Sequence, residues 1–290
     1  EPLQKLVASA DKATMEAAAS ALGRIGTAAA LDALDSANVA KNPRVVNAKL
    51  ACAEAVVKSD AAKAARVFES LLASDLPGHV RGAALRGLIL VEPAKAGRRI
   101  VRVMGSDDAA LRQAAVGSVQ SLRDTEALRT VAAQLSELDN ATKALLIAAL
   151  GRTGEAAALP ALAAQLDADD AAVRLAAIEA VGRFEGNAPL TAKLLTLAVA
   201  EVKSSADAAR ASLARLRGGE VEQTLVRIAR DAQQAEPQRL VAIETIEARR
   251  MSDQAPALIT LSNDASQAVR LAALDALAAL GSPGDQAAAL

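Results

Sequence analysis

The densest run of side chains able to hold a ligand lies between His79 and Arg112. Arg81, Arg86, Lys95, Arg98, Arg99, Arg102 and Arg112 are offset mainly by Glu92, Asp107 and Asp108. Arg98 and Arg102 stand four residues apart, so on a helix their guanidinium groups share a face. Such groups bind carboxylate and phosphate oxygens through paired N–H donors, which makes Arg98, Arg99 and Arg102 candidate anion-binding residues. The weightier reading of the same run is a solvated outer face whose Arg stems cover Ala-rich surface.

Other chemistries lack their residues. His79 is the only His. It sits in DLPGHVR, at the turn before a helix, and reads as an exposed or capping side chain. A metal site needs several converging ligands, and nothing near His79 has ligand spacing. Cys52 is the only Cys, so no internal disulfide can form. It occupies a small-residue position of a helix, which predicts burial, whereas a nucleophilic thiol wants a basic, open setting. No G-x-x-x-x-G-K-[ST] loop occurs, and GRTG and GSPG read as turns between helices. No catalytic, metal or cofactor-binding residue is assigned, and no cofactor is expected.

The 290 residues carry a net charge of -1, with two Phe and neither Trp nor Tyr. A nucleic-acid partner is not expected, because binding it draws on a basic excess and on aromatic stacking. No apolar run approaches the ~20 residues of a membrane span. The chain begins at Glu1 rather than Met, which fits a removed leader.

The elements that must position these residues follow from a repeat. VRLAAIEAVG, from Val173 to Gly182, recurs at Val269 (VRLAALDALA) and at Val80 (VRGAALRGLI), with looser copies starting at Thr14, Val45, Leu111, Thr142, Ala208 and Gln238. The starts step by 31, 35, 31, 31, 31, 35, 30 and 31 residues. A fixed period of this length means a stacked array. Ala and Leu dominate, and both are strong helix formers. The fold class is therefore all-α: a right-handed α-solenoid of about nine two-helix units, a single array over residues 1–290, roughly 90 Å along its stack at ~10 Å per helix pair.

The sixth unit shows the plan. Leu159, Leu162 and Leu166 form one stripe of a first helix. Asp167 to Asp170 supply turn and cap chemistry. Val173, Ala176, Ala177, Ala180 and Val181 then share a face of a second helix, ended by Gly182 and loosened at Gly186. The sixth motif position is a core filler: Leu50, Leu85, Val116, Ile147, Ile178, Leu213, Ile243 and Leu274, with Ala19 the exception. Pro160 and Pro256 fit the start of a first helix. The 35-residue steps, over 58–76 and 187–205, lengthen a helix or a loop.

An Asp precedes the second-position Arg by five or six residues in several units: Asp75 before Arg81, Asp107 before Arg112, Asp169 before Arg174, Asp264 before Arg270. With the period, this resembles the short HEAT-like repeat class of about 30 residues. The resemblance implies that these Asp and Arg side chains bridge successive turns as a structural ladder. It also implies that the second helices line the concave side. There the third and seventh motif positions point away from the apolar face. Leu175, Leu240 and Leu271 at third positions, flanked by Glu179, Glu244 and Asp275 at seventh positions, are candidate partner-binding residues, because a contiguous exposed apolar patch marks a contact site. Burial of these leucines between units is the competing reading.

AKLACAEAVV from Ala48, FESLLASDLPGHVRGAALRGL from Phe68 and ARASLARLRGGEVEQTL from Ala209 look like HEAT arrays of large secreted bacterial proteins. In those, the array is joined to a 3-keto-disaccharide hydrolase-type or a c-type haem domain. Neither activity transfers here, since no C-x-x-C-H and no hydrolase domain is present. The expected function is a non-catalytic protein-interaction scaffold using a curved solenoid surface. The alternative is a spacer presenting an attached sugar-acting or haem domain; a HEAT-like lyase or nucleic-acid-binding enzyme is more remote. The expected partner is a protein, either a separate subunit or a domain of the same polypeptide. The resemblance implies a bacterial periplasmic or secreted location. GSPGDQAAAL, after the last motif, resembles the start of another unit (GRTGEAAALPAL from Gly151), and a solenoid end normally carries a polar cap. The chain is thus expected to be a piece of a longer protein.

Overall fold

The computed structural model describes residues 2–36 and 42–281. The segment 282–290, read above as the start of a further unit, lies outside the described residues. Packing groups the chain into two compact units, residues 1–134 and residues 135–290.

The first unit holds α1 (Pro2–Leu6), α2 (Lys12–Ile25), α3 (Ala28–Ser36), α4 (Pro43–Val56), α5 (Ala61–Leu72), α6 (Gly78–Val91), α7 (Ala96–Met104), α8 (Ala109–Ser118) and α9 (Thr125–Ala132). The motif helices α2, α4, α6 and α8 stack in series, and α3, α5 and α7 each pack on the motif helix that follows. The second unit holds α10 (Asn140–Thr153), α11 (Leu159–Ala164), α12 (Ala171–Val181), α13 (Ala188–Ala198), α14 (Lys203–Arg215), α15 (Gly219–Arg230), α16 (Glu236–Ala248), α17 (Ala255–Leu261) and α18 (Gln267–Leu280). There α10, α12, α14, α16 and α18 stack in series, with α11, α13, α15 and α17 alongside. No strand forms among the described residues; one isolated bridge joins Glu185 to Arg217.

Most motif helices start at a fixed register. The residue three before the motif is the N-cap, and its side chain accepts the backbone N–H of the first motif residue. Asp11 serves Thr14, Asn42 serves Val45, Asp108 serves Leu111, Asp139 serves Thr142, Asp170 serves Val173 and Ser266 serves Val269. Each cap satisfies one of the orphan amides of a helix start. Units three, seven and eight differ: their helices follow Pro77, Val202 and Ala235, none of which gives a side-chain cap.

The second-position arginines divide along the same line. In capped units the guanidinium closes its own turn: Arg112 donates to the Ser106 carbonyl, Arg174 to Ala168 and Asp169, and Arg270 to Asp264 and Ala265. In units three and eight, which lack a cap, it reaches further. Arg81 Nε donates to the Leu72 carbonyl at 3.2 Å, and its Nη1 lies 3.6 Å from Asp108 Oδ2 in the next repeat. Arg239, buried, donates from Nε to the Ala229 carbonyl at 3.0 Å and through both Nη atoms to the Asp264 carboxylate. At Asp264 the contacts differ from the ladder that the HEAT-like resemblance implies. Arg81 pairs with Asp108 of the next repeat, and Asp264 accepts from Arg239 through its carboxylate and from Arg270 through its backbone carbonyl. Asp169 likewise offers Arg174 a carbonyl, and Asp107 has no partner among the described residues.

Small residues set the seams between motif helices. Gly23, Gly151 and Gly182 share the tenth motif position. A Cβ on Gly23 would lie 2.9 Å from the Ala48 carbonyl oxygen, on Gly151 2.6 Å from Ala180 Cβ, and on Gly182 2.7 Å from Ser212 Cβ. Beside Gly182, the buried Ser212 hydroxyl donates to the Ile178 carbonyl at 2.7 Å, pinning α14 to α12. Gly182→Val should overpack this seam and destabilise the fold by about 1–3 kcal/mol, read as a lower urea midpoint at unchanged slope; an unshifted midpoint would contradict the close approach.

The sixth-position residues from Leu50 to Ile243 are all buried, as the pattern predicts. Leu274 is the exception at 50% exposure, because no described element packs on the far side of α18. Pro160 and Pro256 are the second residues of α11 and α17, within the first turn. First helices α5 and α13, in the 35-residue steps, run to 12 and 11 residues.

Candidate functional site

The basic run folds around α7, whose one face buries Ile100, Val103 and Met104 while the other carries arginines. Periodicity does this: Ile100, Val103 and Met104 recur at helical spacing, and Arg98 and Arg102 fall a turn apart on the opposite side. Together α5, α6, α7 and the start of α8 border an open cavity of about 590 Å³. Five cations line it: Arg81, Lys95, Arg98, Arg99 and Arg102. Its wall also holds Leu72, Leu88, Val103 and Leu111.

The three candidate anion-binding residues have different fates. Arg99 is largely buried and committed: its Nη2 meets Glu69 Oε1 at 2.7 Å and also pairs with Glu92, while its Nη1 is buried without an acceptor among the described residues. Lys95 Nζ donates to Glu92 Oε1 at 2.6 Å. Hydrogen bonds from Lys95 and then Arg99 hold the Glu92 carboxyl below the usual carboxylate range. Arg98 and Arg102 are exposed and have no hydrogen-bond or ion-pair partner among the described residues.

A second candidate site lies on the motif helices of residues 135–290. Leu175 on α12 and Leu240 on α16 are half-buried, and Leu271 on α18 is 54% exposed. Glu179, Glu244 and Asp275 are all exposed. The third position of the intervening helix α14 is Arg210, which pairs with Glu244. Leu175 is therefore separated from Leu240 and Leu271 by a charged pair, and the carboxylates without an internal partner among the described residues are Glu179 and Asp275. Third positions do not all face water: Glu16 is buried, accepting from Asn42 Nδ2 at 3.0 Å and Arg44 Nη1 at 2.7 Å. Those bonds, Asn42 first, lower its pKa.

The remaining reactive side chains are placed as their context predicts. Cys52 is fully buried, its Sγ 3.7 Å from the Thr27 carbonyl, and burial pushes the thiol pKa up. His79 is exposed near the start of α6. Among the described residues no group of three or more His, Cys, Asp or Glu side chains could hold a metal ion, and no helix is long and apolar enough to cross a membrane. Sequence reasoning missed Arg239. The signal was available: it occupies the same second position as Arg81, Arg112, Arg174 and Arg270.

The HEAT repeat family model matches residues 255–282, the ninth unit of the register. A search of curated proteins gave no match. The fold is an all-α solenoid, and its ninth unit is similar to a HEAT repeat.

Proposed function

We propose that this chain is a non-catalytic scaffold that binds a partner protein through the third- and seventh-position face of α12, α14, α16 and α18. The observation that supports it most directly is Leu271, exposed by 54% on α18, where Leu274 is also exposed, with Asp275 one turn on. Exposed Leu beside an unpaired carboxylate suits a partner surface with an apolar side chain next to Lys or Arg, where the charge steers and the apolar contact holds. Stacked repeats supply such surfaces by their geometry. The partner is either a separate protein or a domain carried by the same polypeptide, as in the secreted bacterial arrays this chain resembles.

The test compares the wild-type chain with Leu175→Ser/Leu240→Ser/Leu271→Ser, both cross-linked in extract of the source cells and analysed by quantitative mass spectrometry. A specific partner should fall at least tenfold in the variant, and a competing peptide from that partner's cross-linked segment should restore the free chain. Unchanged cross-links, with helix content and melting temperature retained, would remove this face from the function.

A further inference from the structure

We infer that the cavity formed by α5 to α8 is a binding site for an organic dianion carried on an apolar body. Its charge balance is the first reason. Glu69, Glu92 and Asp108 neutralise Arg99, Lys95 and Arg81. That leaves Arg98 and Arg102 unbalanced at the cavity, one helical turn apart. A ladder of internal ion pairs would have used them as well; instead each projects a free guanidinium fork. Two such forks at i, i+4 spacing match the oxygens of one phosphate monoester, or of two carboxylates about 5–6 Å apart.

The wall is the second reason. Leu88, Val103 and Leu111 are buried yet line the same space as the arginines. A purely hydrated anion would leave that apolar wall unused, whereas a ligand with an apolar body covers it. The volume, about 590 Å³, lies within the roughly 300–1,000 Å³ of small-ligand sites. A third reason is rigidity. Arg99 is fixed by Glu69 of α5 and by Glu92 beyond the end of α6, and Arg81 is fixed by the Leu72 carbonyl and Asp108. The cationic wall is thus preorganised, and only Arg98 and Arg102 need to order on binding. The dianion has two natural sources, a free phosphate or dicarboxylate metabolite and a paired-carboxylate segment of a partner protein. This site uses residues 69–111 alone and does not depend on the partner face proposed above.

The full chain is titrated at low ionic strength with two probes and their neutral counterparts. The first pair is 1-naphthyl phosphate and 1-naphthol, followed by naphthyl fluorescence, which no Trp or Tyr of this protein overlaps. The second is a pentapeptide with Glu at both ends and three Leu between, and its Gln analogue, followed by calorimetry. At least one charged probe should bind ten times more tightly than its neutral counterpart, lose affinity as salt screens the arginines, and lose a further tenfold in Arg98→Gln/Arg102→Gln. A tighter naphthyl phosphate assigns a free metabolite as the source, and a tighter peptide assigns a partner segment. The single variants Arg98→Gln and Arg102→Gln keep the test decidable should the double variant lose helix content. Equal binding of charged and neutral probes, or wild-type affinity in folded variants, would overturn the assignment.

Discussion

Asp264→Ala is expected to lower the unfolding free energy by about 3 kcal/mol, since deleting one partner of a buried ion pair leaves the other charge uncompensated. Arg239 is the charge left behind: 5% of its side chain reaches solvent, against 14% for Asp264. That residual exposure places the effect at the low end of the usual range. Asp264 also accepts the Ser266 N–H at 2.9 Å, so Asp264→Asn is the informative control. It keeps an acceptor for Ser266 and removes only the charge. A loss in Asn close to that in Ala assigns the effect to the ion pair; a small loss in Asn assigns it to the turn. Arg239→Met combined with Asp264→Leu should cost less than Asp264→Ala alone, because no buried charge remains. The pH dependence has a definite sign. The Arg239 hydrogen bond lowers the Asp264 pKa below its ordinary value of 3.8. A depressed carboxylate stabilises above its unfolded pKa and loses that contribution as pH falls through the folded value. The difference between wild type and Asp264→Ala in urea should therefore be full at neutral pH and shrink below pH 3.8. A pH-independent difference would sink the ion-pair account.

Phe68→Ala should cost about 3–5 kcal/mol, the usual price of emptying a fully buried aromatic site. Phe68 is completely buried in α5, and its ring lies against Gly87 of α6, where an added Cβ would come within 2.5 Å of Cζ. The pair is a matched large and small residue across one seam. Gly87→Ala should therefore destabilise on its own, yet part of that loss should vanish in a Phe68→Leu background, where the ring is gone. Urea unfolding of the four species gives the coupling directly. Additive losses would show that Phe68 and Gly87 do not share the space the structure gives them.

The fold was legible because its signal is periodic. Val173, Ala177, Ala180 and Val181 recur at helical spacing, copies of them recur every 31 residues or so, and the sixth-position fillers from Leu50 to Ile243 are buried as that register demands. The wiring across seams was not legible. Asp264 stands six residues before Arg270 and 25 after Arg239; chain spacing favours the first, and the stack brings the second into contact. Cap chemistry decides between them, because an arginine above a capped turn can close that turn, while one above Pro77 or Ala235 reaches outward. The anion cavity shows the same limit. Arg98, Arg99 and Arg102 are adjacent in sequence, but only packing against Glu69 and Glu92 separates the committed Arg99 from its free neighbours. The leucine face was half legible: the wheel placed Leu175, Leu240 and Leu271 on one side, and the Arg210–Glu244 pair between them needed the stack to appear.

The uneven distribution of caps bears on the order in which the repeats assemble. A helix start costs more conformational entropy than it returns until its first turns are closed. Units one, two, four, five, six and nine, with a capping Asp, Asn or Ser three residues before the motif, carry the means to close that turn within themselves. Units three, seven and eight, whose helices follow Pro77, Val202 and Ala235, do not; in units three and eight Arg81 and Arg239 find a carboxylate in the repeat that comes next. In a nearest-neighbour array any unit can nucleate and its neighbours then add to it. Here the self-starting units are the natural seeds, and the third and eighth repeats close once the fourth and ninth have set their Asp108 and Asp264. The same two joints are where a growing chain on the ribosome, released from its N-terminal end, must wait for residues not yet made.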